Sequence, residues 1–229
     1  MMAKPEKTST VVMFMGPPGS GKGTQARMLQ EEYGFERVET GALVRSMRAD
    51  PSPIAQRVTA LYDEGRIALP PLVAEIVIRE CRKILERGRN VVLDGSPRTL
   101  YEAERDLAAL RAGGASRVLV IVLDVPKPET VRRVLRRWIC AECRQPAPVV
   151  KKEVPKRCGA CGGLLIRRPD DTADIMDRRW EEYTFRTLPV IELFERQGLV
   201  ARIDGRRPIP EVWAAVRDVL QRSFGLTPR

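Results

Sequence analysis

The apolar positions of this chain gather in short dense runs, separated by longer stretches with helical spacing. Thr10 to Met15, Asn90 to Leu93, Val118 to Leu123 and Leu199 to Ile203 are each apolar almost throughout. Runs this short, with little polar alternation, predict strands buried on both faces. Arg37 to Glu39 offers a further short strand. A turn and a helix-like stretch follow each run; after the first, Gln25 to Tyr33 predicts a helix stopped by Gly34. Strands alternating with helices predict an α/β fold with a mostly parallel sheet between helical layers. Two segments break the alternation. Residues 41 to 88 are helical in pattern and hold no strand, and residues 139 to 168 carry four cysteines among glycines and prolines and read as an insertion. Residues 1 to 9 are polar and read as a loose tail.

At 229 residues the chain suits one large domain carrying small insertions, and a 43% hydrophobic share can fill a core. No apolar run approaches the ~20 residues of a membrane span. Thr10 to Met15 is too short for a signal-peptide core and no small-residue cleavage site follows it. The expectation is a soluble, unexported, cytoplasmic protein. The formal charge is +10, and between Arg132 and Arg179 thirteen Lys or Arg face six Asp or Glu. That surplus fits a solvated basic surface, a nucleic-acid face, or a pocket for polyphosphate, where several phosphates brought together need several cations. There is no histidine. Phosphohistidine intermediates, Ser-His-Asp chemistry and histidine metal ligands are thereby excluded.

The first apolar run leads into Gly16-Pro-Pro-Gly-Ser-Gly21-Lys22, and a helix pattern follows. That is the setting of a phosphate-binding P-loop. Glycines let successive N–H groups turn toward one anion, the helix offers its positive N-terminal end, and Lys22 reaches the outer phosphates. The general motif has Ser or Thr directly after the lysine. Here Gly23 stands there and Thr24 comes one later, so the usual hydroxyl ligand to magnesium is missing. Cys140, Cys143, Cys158 and Cys161 form two C-x2-C pairs. Two such turns aim four thiolates at one point, as tetrahedral zinc requires, and a filled tetrahedron is structural. Disulfides are the alternative, against which an unexported protein argues. A zinc ribbon can also bind nucleic acid, and the cysteines alone do not choose. Cys81, in a helical stretch, reads as a small buried residue.

The loop Gly16 to Gln25, with Gly23-Thr24-Gln25 after the lysine, resembles that of adenylate kinases. Further landmarks follow in that family's order. They are Thr40-Gly41 ahead of Arg45, Asp94-Gly95-Ser96-Pro97-Arg98-Thr99, Arg133 and Arg137 before Cys140, Arg168 before Asp170-Asp171, then Arg179, and Asp204-Gly205. The resemblance spans about residues 10 to 222, and the cysteine insertion is similar to the zinc-bearing lid of the long-lid bacterial members. It implies a P-loop three-layer fold with a five-stranded parallel sheet, a helical flap for the nucleoside monophosphate and a small zinc-containing lid. The core would comprise residues 10–40, 75–137 and 170–229, the flap 41–74 and the lid 138–169. It implies a monomer that transfers the terminal phosphoryl group of Mg-ATP to AMP. Such transfer is mostly positioning and charge stabilisation, and an acceptor phosphate needs no general base. Lys22, Arg98, Arg137, Arg168 and Arg179 would surround the phosphates, and Asp94 would hold Mg2+ through water. Gly19, Ser20, Gly21, Lys22, Gly23, Thr24, Arg133, Arg137 and Arg207 would bind ATP, with Arg133 flat against the base. Thr40, Arg45, Arg66, Ile67, Ala68, Gly95, Arg98, Glu102, Arg168 and Arg179 would bind AMP. Closure of flap and lid would expel water.

Three positions depart from the family pattern. Ser96 stands where Phe is usual, and Leu69-Pro70-Pro71 stands where Thr-Asp is usual, with Pro71 suited to the first turn of the returning helix. Glu102 replaces the Gln that pairs with the acceptor adenine. An ionised Glu only accepts hydrogen bonds, so it suits guanine's two donors better than adenine. A raised Glu102 pKa would rescue adenine, and a Glu102 turned elsewhere would leave the base to another group. The expectation is AMP as acceptor with weakened discrimination. The competing reading, from another class, is a zinc-ribbon P-loop protein that binds nucleic acid. Against it, the basic residues fall at phosphate-pocket positions and only 5% of residues are aromatic, few for base stacking.

Overall fold

The computed structural model describes residues 9–143, 145–147, 156–168 and 170–229. The expected tail lies, except for Ser9, outside the described residues, as does part of the cysteine-bearing segment.

Five strands form one parallel sheet: β1 (Ser9–Met15), β2 (Glu36–Glu39), β3 (Val91–Asp94), β4 (Ala115–Asp124) and β8 (Val200–Asp204), in the order β2-β3-β1-β4-β8. Ser9, expected in the tail, is the first residue of β1. β1 is central, with Val11 opposite Val91 and Val118 on its two sides. Every residue of β1 is buried, which explains its unbroken apolar run. Val11, Met13 and Met15 enter one core with Val77, Leu107, Ile191 and Phe194. Val12 and Phe14 enter a second with Leu29, Trp213 and Val216. The period-2 alternation of a strand thus splits one apolar run between two helical layers.

The helices are α1 (Lys22–Tyr33), α2 (Thr40–Ser46), α3 (Pro53–Asp63), α4 (Pro70–Glu86), α5 (Leu100–Ala112), α6 (Lys127–Leu135), α7 (Ala173–Glu182), α8 (Leu188–Arg196) and α9 (Ile209–Phe224). α1 follows the phosphate loop directly and stops at Gly34, as the sequence predicts. Thr99 and Thr172 cap α5 and α7 by accepting from the N–H groups of Glu102 and Ile175. α4 opens on Pro70 and Pro71, whose fixed φ and missing N–H cost nothing in a first turn. Tyr183–Thr187 forms a π-helical turn between α7 and α8.

Residues 41 to 88 contain α2, α3, α4 and a short 3-10 turn, with no strand. The cysteine-bearing segment holds a separate antiparallel sheet of β5 (Trp138–Cys140), β6 (Pro146–Ala147) and β7 (Leu165–Arg167), ordered β6-β5-β7. No helix among the described residues is long and apolar enough to cross a membrane.

Candidate active site

The strand–loop–helix unit β1–α1 carries the phosphate loop at the C-terminal end of the central strand, beside Asp94 at the end of β3. Gly19 has φ 85°, and a Cβ there would lie 2.7 Å from Val134 Cγ2 and 2.8 Å from the Thr130 carbonyl oxygen. Only glycine lets the loop press against α6 in this way. Lys22 folds back into the loop, where its Nζ donates to the carbonyls of Gly16 and Pro17 at 2.8 Å each and to Ser20 Oγ at 3.4 Å. Burial brings the Lys22 pKa down to about 8; Asp94 opposes that shift, and Arg98, Arg137 and Arg179 add to it. A nearby polyanion would restore the charged form.

The missing hydroxyl after Lys22 has a structural counterpart. A Cβ on Gly23 would come 3.1 Å from Asp94 Oδ2 and 3.2 Å from Arg37 Nη2. The Asp94 carboxylate, paired to Arg37 from β2, fills the space a Ser or Thr side chain would need. Asp94 is buried at the strand end.

One cavity of ≈ 870 Å³, counting its solvent-open mouth, faces this loop. Five cations line it: Lys22 after β1, Arg98 after β3, Arg137 after α6, Arg168 after β7 and Arg179 on α7. Two carboxylates hold three of them in place. Asp171 takes Arg137 through two hydrogen bonds of 2.6 and 2.8 Å. Asp170 takes Arg168 at 2.7 Å and also accepts from Arg179. Burial alone would raise Asp170, but Arg168 and Arg179 outweigh it and hold its carboxyl at about 2. Five cations against Asp170, Asp171 and Glu182, the last of which also lines the cavity, leave it positive, which suits several phosphates.

Tyr62, from α3, was not singled out in the sequence. Its hydroxyl accepts from Arg45 Nη1 at 2.7 Å and from Arg168 Nη2 at 2.8 Å. It thereby joins the helical segment to the residue that follows β7. Glu39 holds the other edge of the Arg45 guanidinium at 2.7 Å. Nothing local marks Tyr62, which sits at helical spacing with Ala55, Val58 and Thr59 on the buried face of α3. Asp170 and Asp171 were visible as neighbours of Arg168, without their role as arginine holders.

The remaining site residues fall into place unevenly. Gly19, Ile67 and Gly95 line the cavity; Thr40 and Ala68 are buried beside it in the chain. Ser20, Gly21 and Thr24 complete the phosphate loop without lining the cavity. Arg133 is held against the last strand's turn, donating to the Gly205 carbonyl at 2.9 Å and the Arg206 carbonyl at 3.3 Å. Arg66 and Arg207 are exposed and do not line the cavity. Of the three departures, Ser96 lines the cavity and Leu69 caps α4. Glu102 is buried behind the Arg98 backbone, from whose N–H its Oε2 accepts at 2.7 Å, and it does not line the cavity.

The four cysteines come together, with their sulfurs all within 4.8 Å of one another. Cys140 and Cys161 sulfurs are 3.4 Å apart, and those of Cys143 and Cys158 3.6 Å apart. A zinc–thiolate tetrahedron with ~2.3 Å bonds has edges of about 3.8 Å, so the cluster fits that ion. Cys81 is buried and separate, its thiol pushed up to about 12 by burial first and by Asp106 and Glu80 next.

A parallel sheet, a glycine loop feeding a helix, and a ring of cations fixed by carboxylates define a P-loop phosphotransferase. The adenylate kinase family model matches residues 14–199. The adenylate kinase of Pyrococcus abyssi is 33% identical over 91% of this chain and 94% of its own length. Those of Novosphingobium aromaticivorans and Carboxydothermus hydrogenoformans are each 32% identical, over 91% and 92% of this chain and 98% and 99% of their own. The chain belongs to the adenylate kinase family.

Proposed function

We propose that this enzyme catalyses reversible transfer of the terminal phosphoryl group of Mg-ATP to AMP, giving two ADP. The observation that carries the reading is the convergence of Lys22, Arg98, Arg137, Arg168 and Arg179 on one cavity at the phosphate loop. The loop from Gly16 to Thr24 binds the ATP phosphates, and Lys22 leaves its carbonyl partners for the outer ones. Arg98, Arg168 and Arg179 neutralise the acceptor and transferred phosphates, with Arg137 on the donor side. Arg45, oriented by Glu39 and Tyr62, holds the acceptor phosphate. Arg133 faces the donor base. The acceptor oxygen is already anionic, so the step needs positioned charge and no proton acceptor, which suits a chain without histidine.

Asp94 fits the role of holding magnesium through water: a buried carboxylate beside the phosphate loop is a hard oxygen donor. The ion neutralises phosphate charge when bound. The cysteine tetrahedron would hold zinc as a structural clip, far from any open coordination position. Residues 41–74 act as the acceptor flap and residues 138–169 as the lid, and the Tyr62–Arg168 bond supports their closing on one another. The reading includes a monomer and a cytoplasmic setting, where thiols such as Cys81 stay reduced. ADP formation from ATP plus AMP, followed without nucleic acid, tests it. Salt-dependent nucleic-acid binding with no such turnover would contradict it.

A further inference from the structure

Behind the Gly95–Arg98 loop lies a buried acidic pair that phosphoryl transfer does not use. Glu102 and Asp106 are four residues apart on α5, so they share one face of the helix. Each is only 1% exposed. Each uses one oxygen to hold the loop. Asp106 Oδ2 accepts from Ser96 Oγ at 3.0 Å, and Glu102 Oε2 accepts from the Arg98 N–H at 2.7 Å. The other oxygen of each, Asp106 Oδ1 and Glu102 Oε1, is buried without a partner. Two ionised carboxylates on one buried helix face would repel each other and leave two charged acceptors unsatisfied. A proton on Asp106 removes one of the charges, and with it the repulsion and the larger part of the desolvation cost.

Among the described residues, Ser96 and Glu102 act on Asp106 and no cation does. Cys81 faces it from α4, with Glu80 acting on the same thiol, and Ser96 faces it from the loop. β4 and α8, also packed on α5, bring Val120, Val190, Ile191 and Phe194 to this core. Glu102 meets Arg98 and Thr99. Burial, reinforced by Glu102 and opposed by Ser96, pushes Asp106 up to about 7, and burial also raises Glu102 against its hydrogen bonds.

We propose that Asp106 stays protonated beside Glu102 and so positions the acceptor loop through Ser96, making Asp106 a positioning residue whose ionisation weakens AMP binding. The inference rests on the proposed acceptor role of that loop. Ser96 and Gly95 line the cavity, and Arg98 Nε is tied back to the Gly95 carbonyl at 2.7 Å. Loss of the proton makes the pair repel, pulling Ser96 and the Arg98 backbone away from the arrangement that aims the Arg98 guanidinium.

The test measures AMP affinity by titration calorimetry from pH 6.5 to 9 in the wild type, Asp106→Asn and Asp106→Ala. An Asn amide can accept from Ser96 and carries neither a charge nor a titratable proton. Any change from Lys22 or from AMP itself is common to all three proteins and cancels in the comparison. The wild type should lose about tenfold more affinity than Asp106→Asn over this range, and Asp106→Ala should bind about tenfold more weakly than Asp106→Asn at pH 6.5. Parallel profiles for wild type and Asp106→Asn would overturn the proposal, as would equal affinity of Asp106→Ala and Asp106→Asn. Infrared spectra of the nucleotide-free protein provide a readout independent of the acceptor. A protonated-carboxyl band present in the wild type at pH 6.5 and missing in Asp106→Asn supports a protonated Asp106, and its absence from the wild type sinks it. If AMP does not bind at any pH while that band is present, the acceptor assignment is what fails.

Discussion

At the scale of single residues, the cavity works by fixing charges before the substrates arrive. Lys22 shows this most clearly. It is held on two carbonyls in a buried loop, with a pKa near neutrality of about 8. Raising the pH from 7 to 9 removes its charge, so ATP affinity should fall roughly tenfold over that range, measured by calorimetry. The effect should be absent in Lys22→Met, which should itself bind ATP weakly. The sign reverses for stability. The folded pKa lies below the unfolded value of 10.5, so the nucleotide-free protein gains stability as pH rises from about 8 through 10.5. Tyr62 gives a second residue-scale prediction. Its hydroxyl serves Arg45 and Arg168 together, so Tyr62→Phe should raise KM for AMP about five- to tenfold with kcat changed much less. An unchanged KM would show that the two arginines do not depend on it.

Elements decide what was legible in the sequence. The central strands were, because a strand covered on both faces leaves an apolar run that no helix of that length produces. The edges were less so. β4 begins at Ala115, three residues before the apolar run, because Ala115 and the polar Arg117 still pair with Ser9 and Thr10 of β1, with Ser116 left out at an irregularity in the register. The phosphate loop and its arginines were legible through their spacing. The roles of Tyr62 and Asp171 were not, because each acts on an arginine more than thirty residues away in the chain. Glu102 is visible in the sequence as a replacement for a base-pairing Gln and Asp106 carries no local mark, and only packing of α5 against α4, β4 and α8 buries the two acids together. The cysteine-bearing sheet is small and has little core of its own, with Ile139 and Cys140 its buried strand residues. Its fold should therefore depend on zinc. Chelation, or Cys143→Ser, should make residues 138–169 sensitive to protease and raise KM for ATP, while the core keeps its melting transition. Loss of turnover with that segment still protected would assign the metal a chemical role instead.

For the whole molecule, the architecture gathers charges from five stations along the chain at one end of a parallel sheet, where neighbouring strands deliver the phosphate loop and the Asp94–Arg98 loop side by side. The basic charge of the chain is in part explained by this cavity. Salt should therefore weaken nucleotide binding more than it changes the fold, since buried ion pairs such as Arg137–Asp171 are poorly screened. Ser96 and Glu102, two of the departures from the family pattern, both hold the Gly95–Arg98 loop, Ser96 through its bond to Asp106 and Glu102 through the Arg98 N–H. Glu102 binds the Arg98 backbone and does not line the cavity, so it does not present guanine with a carboxylate. The most direct test of the assignment is initial-rate ADP formation from Mg-ATP with AMP, GMP, CMP and UMP compared as acceptors in one series. AMP should give the highest kcat/KM, with measurable turnover of the others reflecting weakened discrimination. A strong preference for GMP, or no turnover with any of the four, would contradict it.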